Sequence, residues 1–247
     1  MKLIQATGLI TKEVKYGDNS RIITIISPEK GKISAITNKY KGGKGKALPS
    51  LQLFSYSSFV LFKGSDKGLY HINESDIIEP FKNLREDLMG IVYASYFCDV
   101  ANHIVMENEE NPEFLRLILN MFYALSKKDA NFDKIKTVFE WKTAVLEGYA
   151  PDLEKCSSCG AEEVSYLDLG RGVGLCKNCG KDYAGVAEIS RNIKDAIKYI
   201  ENAELSKVLS FEISDKLCEY LNSLSEIYLR MHLGTEFKTL EYLKKMK

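Results

Sequence analysis

Four cysteines in two close pairs constrain this chain more than any other feature of its sequence. The pairs are Cys156 with Cys159 and Cys176 with Cys179, in the pattern C-x2-C-x16-C-x2-C. Each C-x2-C knuckle presents two sulfurs from one tight turn, and this spacing is typical of a tetrahedral zinc site. The pattern predicts that residues 150–184 form a zinc ribbon whose two arms are short strands.

A zinc site made of four cysteines has a structural role, because four protein ligands leave zinc no open position for water or substrate. A reduced thiol cluster without metal, or a redox pair, is the alternative interpretation. A zinc deaminase is excluded, since none of His71, His103 and His232 begins the H-x-E motif that such an enzyme needs. The two other cysteines, Cys98 and Cys218, lie on apolar helical faces and are interpreted as buried thiols.

Composition places the chain among globular proteins that do not enter a membrane. Its 247 residues are 45% hydrophobic and 28% charged, with only 5 prolines. The longest uncharged stretch, residues 47–62, includes Pro49 and four serines. That stretch is too short and too polar to span a bilayer. The first residues lack the apolar core and cleavage site of a signal peptide, so we expect a cytoplasmic protein with reduced thiols.

Residues 1–79 have the pattern of β-structure, with short β-branched or aromatic runs separated by turn residues. Five antiparallel strands in so short a region predict a small barrel of the OB type, although strand count alone does not separate it from an SH3-like barrel. The predicted strands are residues 3–11, 21–26, 32–37, 53–62 and 69–78.

After Pro80 the apolar residues recur at spacings of three and four, which predicts helices. The first expected helix is long and continuous, over residues 84–105. Asn111 and Pro112 supply the N-cap and first position of the next helix. The remaining predicted helices are residues 133–147, residues 190–202 and a last one around 217–231 that stops near Gly234. The predicted fold class is therefore α+β and multidomain.

Positive charge is concentrated at the N-terminal end. The net charge is zero, yet residues 1–80 carry 12 Lys and Arg against 7 Asp and Glu. Lysines can neutralise phosphates and a tyrosine can stack on a base, and single strands are a common ligand of OB barrels. The alternative is simple solvated surface. The basic segment, residues 39–46 between the third and fourth strands, supplies Lys39, Tyr40, Lys41, Lys44 and Lys46.

Other basic residues of the barrel are candidates for the same surface. Arg21, Lys30 and Lys32 could extend the positive charge, depending on the strand register. Lys32 and Lys63 stand next to turns, where they serve equally well as solubilising charges. Of these residues, Arg21 joins the predicted DNA-binding set.

Motifs of the common enzyme classes are absent from the sequence. It has no G-x-x-x-x-G-K-[ST], no G-x-G-x-x-G and no G-x-S-x-G. ATP-driven chemistry, Rossmann dinucleotide binding and triad hydrolysis are therefore unsupported, and we expect a protein that is not an enzyme. A zinc-ribbon adaptor that binds only proteins remains an alternative. A nuclease is a third possibility, without an obvious carboxylate cluster to support it.

Several segments resemble the RecO family of bacterial recombination proteins. The most specific is residues 139–153, FEWKTAVLEGYAPDL, which leads into the first cysteine knuckle. Residues 8–10 and 16–22, the basic segment and the ending at residues 233–240 are similar to that family as well. The likeness extends in order over essentially the whole chain. One departure is the acidic balance after residue 80, which argues against strong DNA binding by the helical part.

The resemblance implies a recombination mediator that binds single- and double-stranded DNA and anneals complementary strands without ATP. Such proteins act with RecR to load RecA onto strands coated by single-stranded-DNA-binding protein, whose acidic C-terminal tail they recognise. It implies a cytoplasmic, nucleoid-associated location and one structural zinc on the four paired cysteines. The implied domains are a DNA-binding OB domain at 1–79, a helical domain at 80–149 and 185–247, and the zinc module at 150–184.

Overall fold

The computed structural model describes residues 3–18, 20–37, 48–64 and 68–246. The chain divides into two compact units, Met1–Lys128 with Phe237–Lys247, and Asp129–Glu236. Within the described ranges, no helix has both the length and the apolar character needed to cross a membrane.

Eight strands and eight α-helices are formed by the described residues. The strands are β1 Leu3–Tyr16, β2 Ser20–Ser27, β3 Gly31–Thr37, β4 Tyr56–Lys63, β5 Tyr70–Glu79, β6 Tyr166–Asp168, β7 Val173–Leu175 and β8 Val186–Glu188. The helices are α1 Lys82–Glu86, α2 Leu88–Ile104, α3 Pro112–Leu125, α4 Phe132–Leu146, α5 Lys177–Gly180, α6 Arg191–Asn202, α7 Asp215–Leu233 and α8 Lys238–Met246.

The first unit contains a closed barrel with the strand order β1-β2-β3-β5-β4, which is OB-like and confirms the predicted fold class. One detail of the prediction is wrong, because β3 and β5 pair in parallel while every other neighbouring pair is antiparallel. The reason is parity. A closed ring of five strands cannot alternate direction all the way round, so one pair of neighbours must run in parallel.

Alternation of side chains along the strands forms the core of the barrel. In β3 every second residue is buried, as a strand with one face on a core requires. A short 3-10 helix, Pro49–Leu51, adds Leu51 to this core. The core residues are Ala6, Ile10, Ile23, Ile25, Ile33, Ala35, Leu51, Phe59, Leu61 and Ile72.

Helices α1, α2, α3 and α8 complete the first unit. The single helix predicted over residues 84–105 is broken at Asp87, which has extended backbone angles and ends α1. Its carboxylate accepts hydrogen bonds from the backbone N–H groups of Met89 and Gly90, so this residue caps α2. The predicted cap of α3 is confirmed, since the Asn111 side chain accepts a hydrogen bond from the Phe114 N–H at 3.2 Å.

The second unit combines α4, α6 and α7 with the cysteine segment and a three-stranded sheet of order β7-β6-β8. Ser190 caps α6, and Gly234 ends α7 with a φ of 61°, where the sequence predicts that this helix stops. Between α4 and α7 lies a buried ion-pair network. The ammonium of Lys136 is 2.9 Å from Glu140 and 3.3 Å from Glu226.

Candidate metal centre and nucleic-acid interface

The four paired cysteines come together in the second unit. The sulfurs of Cys156, Cys159, Cys176 and Cys179 all lie within 4.8 Å of one another. The two knuckles are directly adjacent, with 3.7 Å between the Sγ atoms of Cys159 and Cys176. Each cysteine offers one ligand atom, so the cluster could hold a metal ion, as the spacing predicts.

Local backbone hydrogen bonds fix the shape of both knuckles. The Gly160 N–H donates to the Cys156 carbonyl at 2.8 Å, and the Gly180 N–H donates to the Cys176 carbonyl at 2.9 Å. The two glycines meet different needs. Gly160 adopts a left-handed φ of 76°, whereas a Cβ at Gly180 would lie 2.6 Å from the ring of Tyr166. Only the first therefore needs the conformational freedom of glycine, and the second leaves room for a neighbouring ring.

The predicted ribbon arms are present as β6 and β7, which pair antiparallel with Tyr166 opposite Leu175. A third strand, β8, pairs with the other edge of β6 and was not predicted from the sequence. The Ser157 N–H donates to the Gly174 carbonyl at 2.9 Å, which ties the first knuckle to β7. The small sheet thus supports the cysteine cluster and holds both knuckles in place.

The electrostatics of the cluster favour a bound cation. Hydrogen bonds from backbone N–H groups lower the pKa of the Cys156 thiol to about 6, and the N–H of Cys176 has the largest effect. The Ser158 hydroxyl lowers the pKa of the Cys179 thiol, but the sulfurs of Cys176 and Cys159 outweigh it and raise that pKa to about 12. One thiol therefore ionises readily while a close neighbour resists. A metal ion among them would stabilise the remaining thiolates.

The two other cysteines are buried, as predicted. Burial, with a smaller effect of Asp99, raises the pKa of the Cys98 thiol well above its usual value. Burial likewise raises the pKa of the Cys218 thiol, which lies on α7. Neither thiol has the low pKa that reactive cysteines need.

Five of the six predicted DNA-binding residues belong to the basic segment. Lys39, Tyr40, Lys41, Lys44 and Lys46 lie outside the described residues. The remaining one, Arg21, is on β2 and forms an ion pair with Glu13 of β1 at 3.2 Å. Its guanidinium is thus already partly neutralised by a neighbouring carboxylate, which the sequence could reveal only once the strand register was known.

Three other lysines of the barrel meet around one cavity. Lys30, Lys32 and Lys63 line a space of about 280 Å³, together with Glu107. The Lys32 ammonium donates to the Asn102 carbonyl at 2.9 Å, and the Lys63 ammonium lies 4.4 Å from the centre of the Tyr70 ring. The sequence indicated Lys30 and Lys32 as possible additions to the positive surface and placed Lys32 and Lys63 next to turns, but it did not predict that the three converge.

These features define a class of protein: an OB-like barrel joined to helices and to a four-cysteine module that could bind a metal. Comparison with known proteins agrees. The family model described as Recombination protein O N terminal matches residues 1–81, and the one described as Recombination protein O C terminal matches residues 85–241.

Relatives match over nearly the whole chain. DNA repair protein RecO of Acetivibrio thermocellus is 35% identical over 246 residues, which is 99% of this chain and 97% of the relative. DNA repair protein RecO of Alkaliphilus metalliredigens is 29% identical over 248 residues, which is 99% of this chain and 100% of the relative. The chain belongs to the RecO family of DNA repair proteins.

Proposed function

We propose that this protein is a non-enzymatic recombination mediator that binds single- and double-stranded DNA and anneals complementary strands. The observation that carries the proposal is the match to RecO proteins over 99% of the chain. An OB-like barrel, whose fold commonly binds single strands, supports it. The mechanism is neutralisation of phosphates, which lets one protein hold two strands with their charges screened and their bases exposed.

The DNA surface in this proposal includes the basic segment, with Tyr40 among its lysines, and Arg21. Each lysine at a phosphate releases a condensed counterion, so binding should weaken steeply as salt increases. The concentration of basic side chains in residues 1–80 supports the barrel, not the helices, as the principal DNA-binding part.

Fluorescence anisotropy of a labelled single-stranded oligonucleotide, titrated with protein across a salt series, tests the proposal. We expect a linear loss of log affinity with log salt, with a slope of roughly 0.7 for each phosphate contacted. The variant Lys39→Ala, Lys41→Ala, Lys44→Ala and Lys46→Ala should bind more weakly and have a shallower slope.

A second quadruple variant is the matched control, because it removes the same amount of charge elsewhere. It changes four exposed lysines, Lys127, Lys128, Lys181 and Lys216, to alanine. Equal slopes for the two quadruple variants would move the DNA site away from the basic segment. No binding by the wild type, even at low salt, would overturn the proposal and favour the protein adaptor.

Strand annealing follows from the same proposal and needs no nucleotide. Mixing complementary oligonucleotides with the protein should accelerate duplex formation in the absence of ATP, and this should weaken with salt in parallel with binding. Strand cleavage in the presence of magnesium would instead support a nuclease.

The proposal extends to protein partners. We propose binding to RecR and to the acidic C-terminal tail of single-stranded-DNA-binding protein, with RecA loading as the indirect result. Isothermal titration with a peptide of that tail, and with purified RecR, tests each contact separately. A scrambled peptide of the same charge distinguishes sequence recognition from simple electrostatic attraction.

We propose that the cysteine cluster holds one structural zinc ion, with Cys156, Cys159, Cys176 and Cys179 as ligands. Zinc–sulfur bonds of about 2.3 Å in a tetrahedron require sulfurs roughly 3.8 Å apart. The 3.7 Å separation between Cys159 and Cys176 fits that requirement. Elemental analysis of protein purified without chelator should find about one zinc per chain. Protein without any metal would contradict this assignment.

The parts of the chain have separate roles in this proposal. Residues 1–79 bind DNA, residues 150–184 form the zinc module, and residues 80–149 with 185–247 form the helical domain. Because the proposed work is done on DNA, we expect the protein in the cytoplasm, at the nucleoid.

A further inference from the structure

The outer face of the barrel carries a continuous row of mostly apolar side chains that follows neighbouring strands in turn. Cross-strand pairs define it, because residues directly opposite each other project on the same face. Val14 pairs with Ile22, Ile22 with Ile36 and Ile36 with His71. His71 in turn pairs with Phe62, and Phe62 with Leu3. We call these six residues the outer row.

The outer row faces outward because, on β2 to β5, residues next to its members belong to the core, and Leu3 and Val14 of β1 face the same way as the residues they pair with. Leu61 and Ile72 are buried in the barrel, so alternation directs Phe62 and His71 to the opposite side. Leu3 is 58% exposed and Val14 is 46% exposed. Ile22, Ile36 and Phe62 are partly exposed, so the row forms a contiguous apolar stripe at the surface, and such stripes mark interaction sites.

The most distinctive part of the outer row is an aromatic pair. The rings of Phe62 and His71 stack with centroids 5.0 Å apart and an interplanar angle of 14°. His71 is exposed, and Phe62 is partly so. Flat aromatic surfaces of this kind accept the faces of unpaired bases, in a way that tolerates any base.

Positive charge accompanies the aromatic pair. The lysine cavity of Lys30, Lys32 and Lys63 is also lined by Ser34 and Tyr70, with Glu107 as the one carboxylate among its described residues. Lys63 directly follows Phe62 on β4, and its partner Tyr70 directly precedes His71 on β5. Consecutive residues of a strand project to opposite faces, so Lys63 and Tyr70 point away from the outer row at the ends of their strands. Lys32 and Ser34 of the same cavity alternate with core residues on β3 and so share the outer face with Ile36. A phosphate could therefore reach Lys32 while the adjoining bases lie on the outer row.

The opposite end of the same strands has the reverse character. On the outer face of β4 and β5, Val60 pairs with Glu74 and Ser58 pairs with Asp76. These carboxylates line a second cavity of about 590 Å³ with Glu29 and with Lys30, which also lines the lysine cavity. Acidic side chains repel a nucleic-acid backbone, so the charge pattern directs a strand toward the aromatic pair and away from Val60.

We propose that the outer row is a base-stacking platform for single-stranded nucleic acid, with bases on Phe62 and His71 and a phosphate at the lysine cavity. This inference rests on the proposed DNA-binding function and adds the residues that select single strands. Bases in a duplex are paired and stacked on one another, so they cannot lie on these rings. The platform thus favours the single strand before annealing and releases the duplex after it.

The test compares wild type with Phe62→Ala/His71→Ala by anisotropy on a single-stranded oligonucleotide and on the matching duplex. Loss of a base–aromatic stack should reduce single-strand affinity roughly tenfold or more. Duplex affinity should change less than about threefold and the salt slope should stay the same, because phosphate contacts are intact. A 2-aminopurine base in the single strand should be quenched on binding by wild type but not by the variant.

Further variants separate stacking from apolar contact and from folding. Phe62→Trp should retain single-strand affinity, whereas Phe62→Leu, which keeps the apolar volume but not the ring, should lose it. Val60→Ala is the matched control on the same strand and face, and it should bind like wild type. Lys30→Ala/Lys63→Ala should reduce the salt slope without abolishing 2-aminopurine quenching. Circular dichroism melts verify that each variant is folded.

The outcomes distinguish this inference from the function on which it rests. If wild type binds neither oligonucleotide, the proposed function fails and the platform with it. If wild type binds but a folded Phe62→Ala/His71→Ala variant keeps its single-strand affinity, the platform alone is overturned. If that variant keeps its affinity and loses a self-association that wild type has in sedimentation, the outer row is a contact between copies of the chain.

Discussion

The interiors of the two units are built on different principles. The barrel core is a single cluster of aliphatic and aromatic residues. In the second unit, helices α4 and α7 enclose Lys136, Glu140 and Glu226, of which Glu140 is fully buried. Other buried polar atoms there, Trp141 Nε1 and Asp168 Oδ2 among them, have no hydrogen-bond partner within the part of the chain that the structure describes.

This difference determines what each unit depends on. An apolar core is stabilised by buried area and filled volume, so it tolerates small conservative changes at a graded cost. A buried ion pair is stable only while both partners are present, because an unpaired charge in the interior is strongly unfavourable. The proposed zinc ion would add a second dependence of this kind, since it would hold four thiolates close together. The second unit should therefore respond abruptly where the barrel responds gradually.

Metal removal should have the largest effect and should be confined to the second unit. Structural zinc contributes about 10–16 kcal/mol of apparent binding free energy in small zinc modules, so a chelator or Cys156→Ser should unfold residues 150–184. Hydrogen exchange followed by mass spectrometry should show peptides of this segment losing protection while peptides of residues 1–80 keep theirs.

Fluorescence gives an independent measure of the same change, because Trp141 is the only tryptophan in the sequence. It packs on Tyr228, with ring centroids 4.9 Å apart. Gly172, in the turn between β6 and β7, lies close enough that a Cβ there would be 2.5 Å from the Tyr228 hydroxyl. Loss of the ribbon should therefore shift the emission of Trp141. Equal loss of protection in the barrel would break the proposed contrast between the units.

Lys136→Met should give the next largest effect. The substitution keeps a long unbranched side chain but leaves the buried carboxylate of Glu140 without the Lys136 ammonium, while Glu226 retains its ion pair with Arg230 at 3.6 Å. The Ser225 hydroxyl, which donates to Glu140 at 2.6 Å, cannot replace a full charge. We expect a loss of about 3–5 kcal/mol in the free energy of unfolding, measured in urea by Trp141 fluorescence.

An exposed ion pair supplies the control for this substitution. Lys82 and Glu86 also form an i,i+4 pair on a helix, but their side chains are 76% and 64% exposed. Lys82→Met should change stability by less than about 0.5 kcal/mol. Similar losses of unfolding free energy in the two variants would mean that burial does not make the Lys136 network more important for stability than an exposed ion pair.

Ile23→Val tests the barrel side of the comparison with a smaller change. Ile23 is fully buried in the apolar core, and the substitution removes one methylene without altering charge. We expect a loss of about 0.5–1.5 kcal/mol, seen as reduced protection in hydrogen exchange of peptides from residues 1–80. A loss as large as that of Lys136→Met would contradict the idea of a tolerant core.

The same contrast explains how much the sequence could predict. Barrel strands and the cysteine cluster depend on local patterns, namely β-branched runs between turns and two C-x2-C knuckles, and both predictions are confirmed. The break at Asp87 was missed because the apolar spacing continues across it. Strand β8 is very short, and it pairs with β6. Because β7 and the second knuckle lie between β6 and β8 along the chain, no local sequence signal indicates this strand.

Side-chain pairing was harder to predict than secondary structure. Lys136 and Glu140 have the spacing of an ordinary surface pair, and only the packing of α7 on α4 reveals that they are buried. Arg21 is of a residue type that commonly contacts DNA, yet the register of β1 and β2 places it in an ion pair with Glu13. The first depends on a contact with a distant part of the chain and the second on the register of a hairpin, and the periodicity of apolar residues encodes neither. The roles of Lys39, Tyr40, Lys41, Lys44 and Lys46 stay predictions.

The smallest expected effect concerns pH and the one histidine of the second unit. The imidazole of His232 packs against the rings of Tyr149 and Tyr228, with centroids 4.7 Å and 4.3 Å away. Burial lowers its pKa, and a backbone hydrogen bond with Leu169 offsets part of that. The unfolded chain therefore takes up a proton at higher pH than the folded chain, so stability falls as pH drops below about 6.5.

The urea midpoint of wild type, followed by Trp141 fluorescence, should accordingly decrease between about pH 7.5 and pH 5.5, a range above the usual pKa of carboxylates. In His232→Asn this decrease should be smaller, because the proton-linked part of the stability has been removed. The two other histidines are present in both proteins, so their contributions cancel in the difference. An equal decrease of the urea midpoint in both proteins would mean that His232 does not contribute to the pH dependence of stability. The contrast with the barrel would then rest on the Lys136 network and the cysteine cluster alone.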